Sequence, residues 1–110
     1  MKPLLLMALA LVLAAPGVVS AAASRVGLVC EAVYAPAREI WVRRVEISYD
    51  DQRVSAVGID GVPVHSFAVN GTVILTALDN ERIQIDVARL SWQSDFRGLA
   101  QSQGRCERAV

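Results

Sequence analysis

Histidine, lysine and cysteine are almost missing from this chain: it holds His65, Lys2, Cys30 and Cys106, and no other residue of those types. One imidazole and two thiols cannot assemble an ordinary zinc site. The two thiols also lack the Cys-x-x-Cys spacing of a redox pair. A catalytic histidine needs a nucleophile within hydrogen-bond reach, and Ser55 and Ser66 fall on the strand face opposite His65. Excess positive charge is missing too. Beyond Lys2 the basic residues are 10 arginines against 11 acids, so no basic footprint for nucleic acid is present. No small-molecule cofactor and no resident metal are expected. Asp50, Asp51 and Asp60, or Asp79 and Glu81, lack the regular oxygen spacing of a calcium loop, and turn carboxylates ordinarily cap the turn.

A hydrophobic run long enough to cross a membrane is also lacking. The run Leu4–Ala15 is 12 residues long, against about 20 for a hydrocarbon core. It follows Lys2, ends at Pro16-Gly17 and leads into Ser20-Ala21-Ala22-Ala23, the pattern of a cleavable signal peptide over residues 1–23. The expected mature product, residues 24–110, is a single domain of the periplasm or the extracellular medium. In such a compartment Cys30 and Cys106 are expected to pair as a structural disulfide joining the two ends. The three residues before Cys30, Gly27-Leu28-Val29, do not fit a lipoprotein cleavage site.

What is present is β punctuation. Asp60-Gly61 and Asn70-Gly71 sit between β-branched runs and favour type I′ hairpin turns. Asp50-Asp51-Gln52 and Leu78-Asp79-Asn80 read as looser turns, and Ala35-Pro36-Ala37 as a loop. The expected strands are 27–34, 40–49, 53–59, 62–69, 72–77, 82–87, 91–96 and 99–106. Ile83, Val87 and Leu90 also fit a helical stripe, but the alternation Ile83, Ile85, Val87 favours a strand. The expected fold is all-β: a small antiparallel barrel or sandwich of about 7–8 short strands. A bulge at Arg43-Arg44 would gather Ile40, Val42, Val45, Ile47 and Tyr49 on one face and leave both arginines near the rim. The aromatics Tyr34, Trp41, Tyr49, Phe67, Trp92 and Phe96 are expected in the core. The last strand carries Gly98, Ala100, Ser102, Gly104 and Cys106 on one face, which would let the first strand approach closely. Arg97, Arg105 and Arg108 read as solvated charge.

The two hairpins over 53–77 show two apolar faces where one is usual. Val57, Ile59, Val62, Val64, Ala68, Val73 and Leu75 share one face. Val54, Ala56, His65, Phe67, Val69, Thr72, Ile74 and Thr76 share the other. The second face is expected to be covered by the last strands or a helix of the same chain, by a second copy or by a protein partner, with Val57, Ile59, Val62, Val64, Val73 and Leu75 as the candidate binding face. The expected role is that of a small exported, non-catalytic binding or structural protein of the cell envelope, self-association included.

Export, about 90 mature residues, β-rich text and the end-to-end placement of Cys30 and Cys106 resemble the small periplasmic inhibitors of C-type lysozyme. The resemblance implies a second role, inhibition of a lysozyme-like hydrolase. Those inhibitors carry a Ser/Gly-rich loop ending in a basic residue and a tyrosine, in mid-chain. The nearest text here is Ser102-Gln103-Gly104-Arg105, at the other end and without the tyrosine, so no inhibitory residue is carried over. The C-terminal segment also resembles that of short exported Gram-negative proteins, which implies compartment rather than activity.

Overall fold

The computed structural model describes residues 23–109. All but Ala23 of the expected signal peptide lies outside the described residues. The strands are β1 (Ala23–Ala35), β2 (Glu39–Asp50), β3 (Arg53–Ile59), β4 (Val62–Val64), β5 (Phe67–Asn70), β6 (Val73–Leu78), β7 (Glu81–Asp86), β8 (Ser91–Phe96) and β9 (Ala100–Ala109). No helix occurs among the described residues, and 82–87 is strand, as the alternation of Ile83 and Ile85 requires.

Each strand is antiparallel to the next one, and β9 returns to pair with β1, in the order β4-β3-β2-β1-β9-β8-β7-β6-β5. The result is a nearly closed barrel. Its seam falls inside the stretch expected as one strand, 62–69. β4 and β5 run in the same direction, joined by His65-Ser66; β4 pairs with β3 and β5 with β6. One bent strand thus bridges the two halves of the wall.

Turn chemistry closes the meander. Asp51-Gln52, Asp60-Gly61 and Asp79-Asn80 all have both residues at positive φ, the signature of the type I′ two-residue hairpin. Two of these three were expected to be looser. The Asn70-Gly71 expectation is corrected: Asn70 pairs with Val73, so the loop is Gly71-Thr72, with Gly71 at φ 63°. The expected bulge at Arg43-Arg44 is absent. β2 pairs regularly with β1 there, Cys30 opposite Arg43 and Val29 opposite Arg44. The irregularity lies at Ser48/Tyr49, where Ser55 of β3 is left without an opposite residue and its Oγ donates to the Ser48 carbonyl at 3.2 Å.

The barrel interior is the core: Leu28, Cys30, Ala32, Val45, Ile47, Val57, Ile59, Val64, Ile74, Ile83, Ile85, Trp92 and Cys106 are buried. Cys30 and Cys106 are direct cross-strand partners, Cα atoms 3.9 Å apart, and their disulfide points inward. Small residues on β9 do allow the close approach. A Cβ built on Gly104 would lie 1.6 Å from the Glu31 carbonyl oxygen.

Candidate interaction surface

The interior contains charge as well as apolar groups. Regular alternation along β2 puts Arg43 on the same inward side as Val45 and Ile47. Its Nε donates to Asp60 Oδ2 at 2.7 Å, and its Nη1 donates to Glu81 Oε1 at 3.1 Å and to the Tyr34 hydroxyl. Tyr34 Oη donates to Glu81 Oε2 at 2.5 Å, and Ser94 Oγ to the same oxygen at 2.6 Å. Ser94 and Ser102 share a hydroxyl–hydroxyl bond, and Trp92 Nε1 donates to Ser102 Oγ at 2.8 Å. The Arg43 guanidinium lies 4.9 Å from the Trp92 ring centroid, a cation–π contact.

Burial, with the bond to Glu81 next, raises the Tyr34 pKa above its ordinary 10.0. For Arg43 burial acts downward, but the bonds to Asp60 and Glu81 outweigh it and the pKa rises. Among the described residues no buried side-chain nitrogen or oxygen lacks a partner. Each group in the network is held by another.

Two carboxylates beside turns, the candidate Asp60 and also Asp86, have structural duties. Asp60 caps Arg44, whose backbone N–H donates to Oδ1 at 2.9 Å. Asp86 accepts from the backbone of Arg89 and Ala88 and from Thr72, bonds that hold its pKa below 3.8. Among the described residues no three His, Cys, Asp or Glu side chains converge on a point. His65 sits exposed at the β4–β5 bend.

The face expected to bind a partner does not exist as one surface. Val57, Ile59 and Val64 are buried in the core, Val73 is half-buried, and only Val62 and Leu75 are exposed. The reason is the bend at His65-Ser66. It couples Val57, Ile59 and Val64 of one expected face with Phe67, Ile74 and Thr76 of the other, and all six turn inward or pack against the core. The inward parts of the two expected faces thereby join in one core, while Val62, Val69 and Leu75 stay outside.

Concavities mark the wall, two of them beside β6. On the outside of β6–β9, Leu75, Arg82, Gln84, Gln93, Asp95, Gln101 and Gln103 line a shallow polar groove of about 600 Å³. At the lower end of the seam, Tyr49, Val54, Val69, Ile74 and Val87 line an apolar slot of about 350 Å³.

The exposed apolar residues gather elsewhere. β2 pairs with β3 only from Val45 (opposite Ile59) onward; Asp60 extends the contact to Arg44 through its N–H, which donates to the Arg44 carbonyl at 2.8 Å. Residues 39–43 have β1 alone beside them. The upper β1–β2 hairpin therefore stands clear of β3 and carries Ile40, Trp41 and Val42, exposed at 65%, 57% and 54%. Val33, opposite Ile40, adds to the same outer face, and Leu99 is exposed in the β8–β9 turn. Trp41, together with the partly exposed Phe96, corrects the expectation that all six aromatics are core. No protein-family model matches the chain, and no curated protein or solved structure is significantly similar to it.

Proposed function

We propose that this chain is a small exported, non-catalytic binding protein of the cell envelope that makes its contact through the tip of the β1–β2 hairpin. The observation that carries this reading is the trio Ile40, Trp41 and Val42, exposed on a strand segment that is paired with β1 but has no strand on its β3 side. Three consecutive large apolar side chains in water favour a covered state by roughly 25 cal/mol per Å² removed from water. A projecting apolar hairpin is also the element an inhibitor of a lysozyme-like hydrolase would insert into a cleft, and that is the second reading.

The test is site-specific crosslinking in a Gram-negative cell that exports the full chain. A photo-crosslinking phenylalanine analogue replaces Trp41, and in a control Gln84 on the opposite wall. An adduct from position 41 that the control lacks supports the reading, and adduct formation with a hydrolase supports the second one. Absence of any adduct at 41 overturns both.

A further inference from the structure

We infer that the partner of this hairpin is a second copy of the same chain, joined edge to edge by antiparallel pairing of the two β2 strands about a two-fold axis at Trp41. The inference rests on the reading of the hairpin tip as the binding surface and adds the identity and register of what covers it.

The backbone sets the register. In an antiparallel ladder the N–H and C=O of alternate residues point to the same side. Arg44 bonds toward β3 through Asp60, so Val42 and Ile40, two and four residues back, point their N–H and C=O into the empty space. They are the free groups of this edge. An extended edge with exposed apolar residues is a template for another strand. Arg44 cannot take part, because Asp60 already occupies both its N–H and its carbonyl.

One self-pairing uses both free residues and no occupied one: Ile40 opposite Val42 of the second copy, and Val42 opposite its Ile40. Four main-chain hydrogen bonds result. Isologous pairing then sets Trp41 opposite itself, where side chains approach most closely. It also sets Glu39 opposite Arg43 of the second copy, so that opposite charges face each other on both flanks. Arg43 keeps an Nη2 that makes no hydrogen bond among the described residues, and Glu39 is exposed. Ile40 and Val42 of the two copies form one apolar row on the outer face. Sliding the register by two residues would place Ile40 against Arg44 and Trp41 against Arg43, which loses both the aromatic pair and the charge pair.

The second copy is favoured over an unrelated strand because a single short segment, Glu39–Arg43, supplies both halves of each contact. Backbone, apolar and charged groups all match under one operator.

The experiment uses the purified oxidised protein, with its mass measured by light scattering during size-exclusion chromatography. Twice the monomer mass is expected. Trp41→Arg places two guanidinium groups at the axis and weakens association by at least about tenfold. Gln84→Arg on the far wall leaves the dimer intact. Trp41→Cys tests the register: on air oxidation its thiols link two chains covalently, whereas Gln84→Cys does not. A wild-type monomer together with no covalent dimer from Trp41→Cys overturns the inference. The crosslinking above separates this failure from that of the binding reading: an adduct at 41 with a different protein upholds a binding hairpin and eliminates the second copy.

Discussion

Arg43 sits where a hydrophobic residue would ordinarily go, pointing into a barrel among Val45 and Ile47. The position is tolerable because three acceptors reach it: Asp60, Glu81 and the Tyr34 hydroxyl. Removing one partner of such a set leaves the other charge poorly solvated. Glu81→Ala is expected to cost about 2–3 kcal/mol, less than a fully buried pair because Asp60 still faces the guanidinium. Urea denaturation checks it, and a loss below about 0.5 kcal/mol would show that Asp60 alone suffices. Tyr34 gives a pH dependence whose sign follows from its raised pKa. The unfolded tyrosine loses its proton near 10.0 and the folded one at a higher pH, so the native state holds more protons above pH 10. Its contribution is complete below that value and declines as pH rises through the folded pKa. The urea midpoint should therefore fall between about pH 9 and 11 in the wild type, and fall less in Tyr34→Phe. The inward place of Arg43 was legible in the sequence: strict alternation from Val45 and Ile47 puts it inside. A bulge was expected instead, because it would gather Ile40, Val42, Val45, Ile47 and Tyr49 on one face; the partners that hold Arg43 inside, Glu81 and Tyr34, lie 38 and 9 residues away. No local pattern encodes those partners.

At the scale of elements the junction of β1 with β9 holds the barrel shut. Its two devices, the disulfide and Gly104, were both readable, one from the compartment and the other from the small-residue face of the last strand. The Cys30–Cys106 link spans 76 residues of sequence, and closing a loop of that size removes about 4.5 kcal/mol of chain entropy from the unfolded state in the usual model. Cys30→Ala with Cys106→Ala should lower unfolding stability by about 3–5 kcal/mol, with the β pattern of the circular dichroism spectrum kept wherever the protein still folds. Gly104→Ala acts on the same junction by another route. Its methyl would meet the Glu31 carbonyl at 1.6 Å, so β9 must retreat from β1 or the ladder must break. A loss of at least about 3 kcal/mol is expected, measured as a drop in the denaturation midpoint, and a neutral result would mean the two strands are not this close. The turns were less evenly legible. Asp60-Gly61 sets its hairpin as the dipeptide suggests, whereas at Asn70-Gly71 the same rule misplaces the loop by one residue. There Asn70 continues β5 and only Gly71 takes positive φ. That step slides the β5–β6 pairing by two residues, Ala68 facing Leu75 instead of Val73, and so leaves each β6 side chain on its expected face.

Taken whole, the molecule is a nearly closed ladder whose strand order breaks between β4 and β5, and that break predicts where it opens. The wall from β3 through β2, β1, β9, β8 and β7 to β6 is continuously paired, whereas β4 and β5 each have a neighbour on one side only. Hairpin alternation identifies the exposed amides. Ile59 opposite Val62 closes one two-residue turn and Asn70 opposite Val73 the other, so these pairs bond within their hairpins. On β4 the residue left facing the seam is Pro63, which has no N–H to offer, the usual protection of an edge. On β5 the residues facing it are Val69 and Phe67, with Ala68 between them turned toward β6. Across the seam the amide of Val54 points the same way, because Arg53 and Asp50 close the turn before it. Amide hydrogen exchange should therefore alternate along β5, fast at Phe67 and Val69 and slow at Ala68, with a further fast site at Val54. Cys30, Ala32 and Gly104, inside the paired wall, should be among the slowest to exchange. Uniform protection along β5 would mean that the seam closes in solution and that the bend at His65-Ser66 is no weak point. Alternating protection would locate the first local opening at the seam, on the wall away from the apolar hairpin tip. The proposed binding element would then be held on the stiff side of the barrel, where the disulfide and the Arg43 network tie β1 and β2 to the rest of the fold.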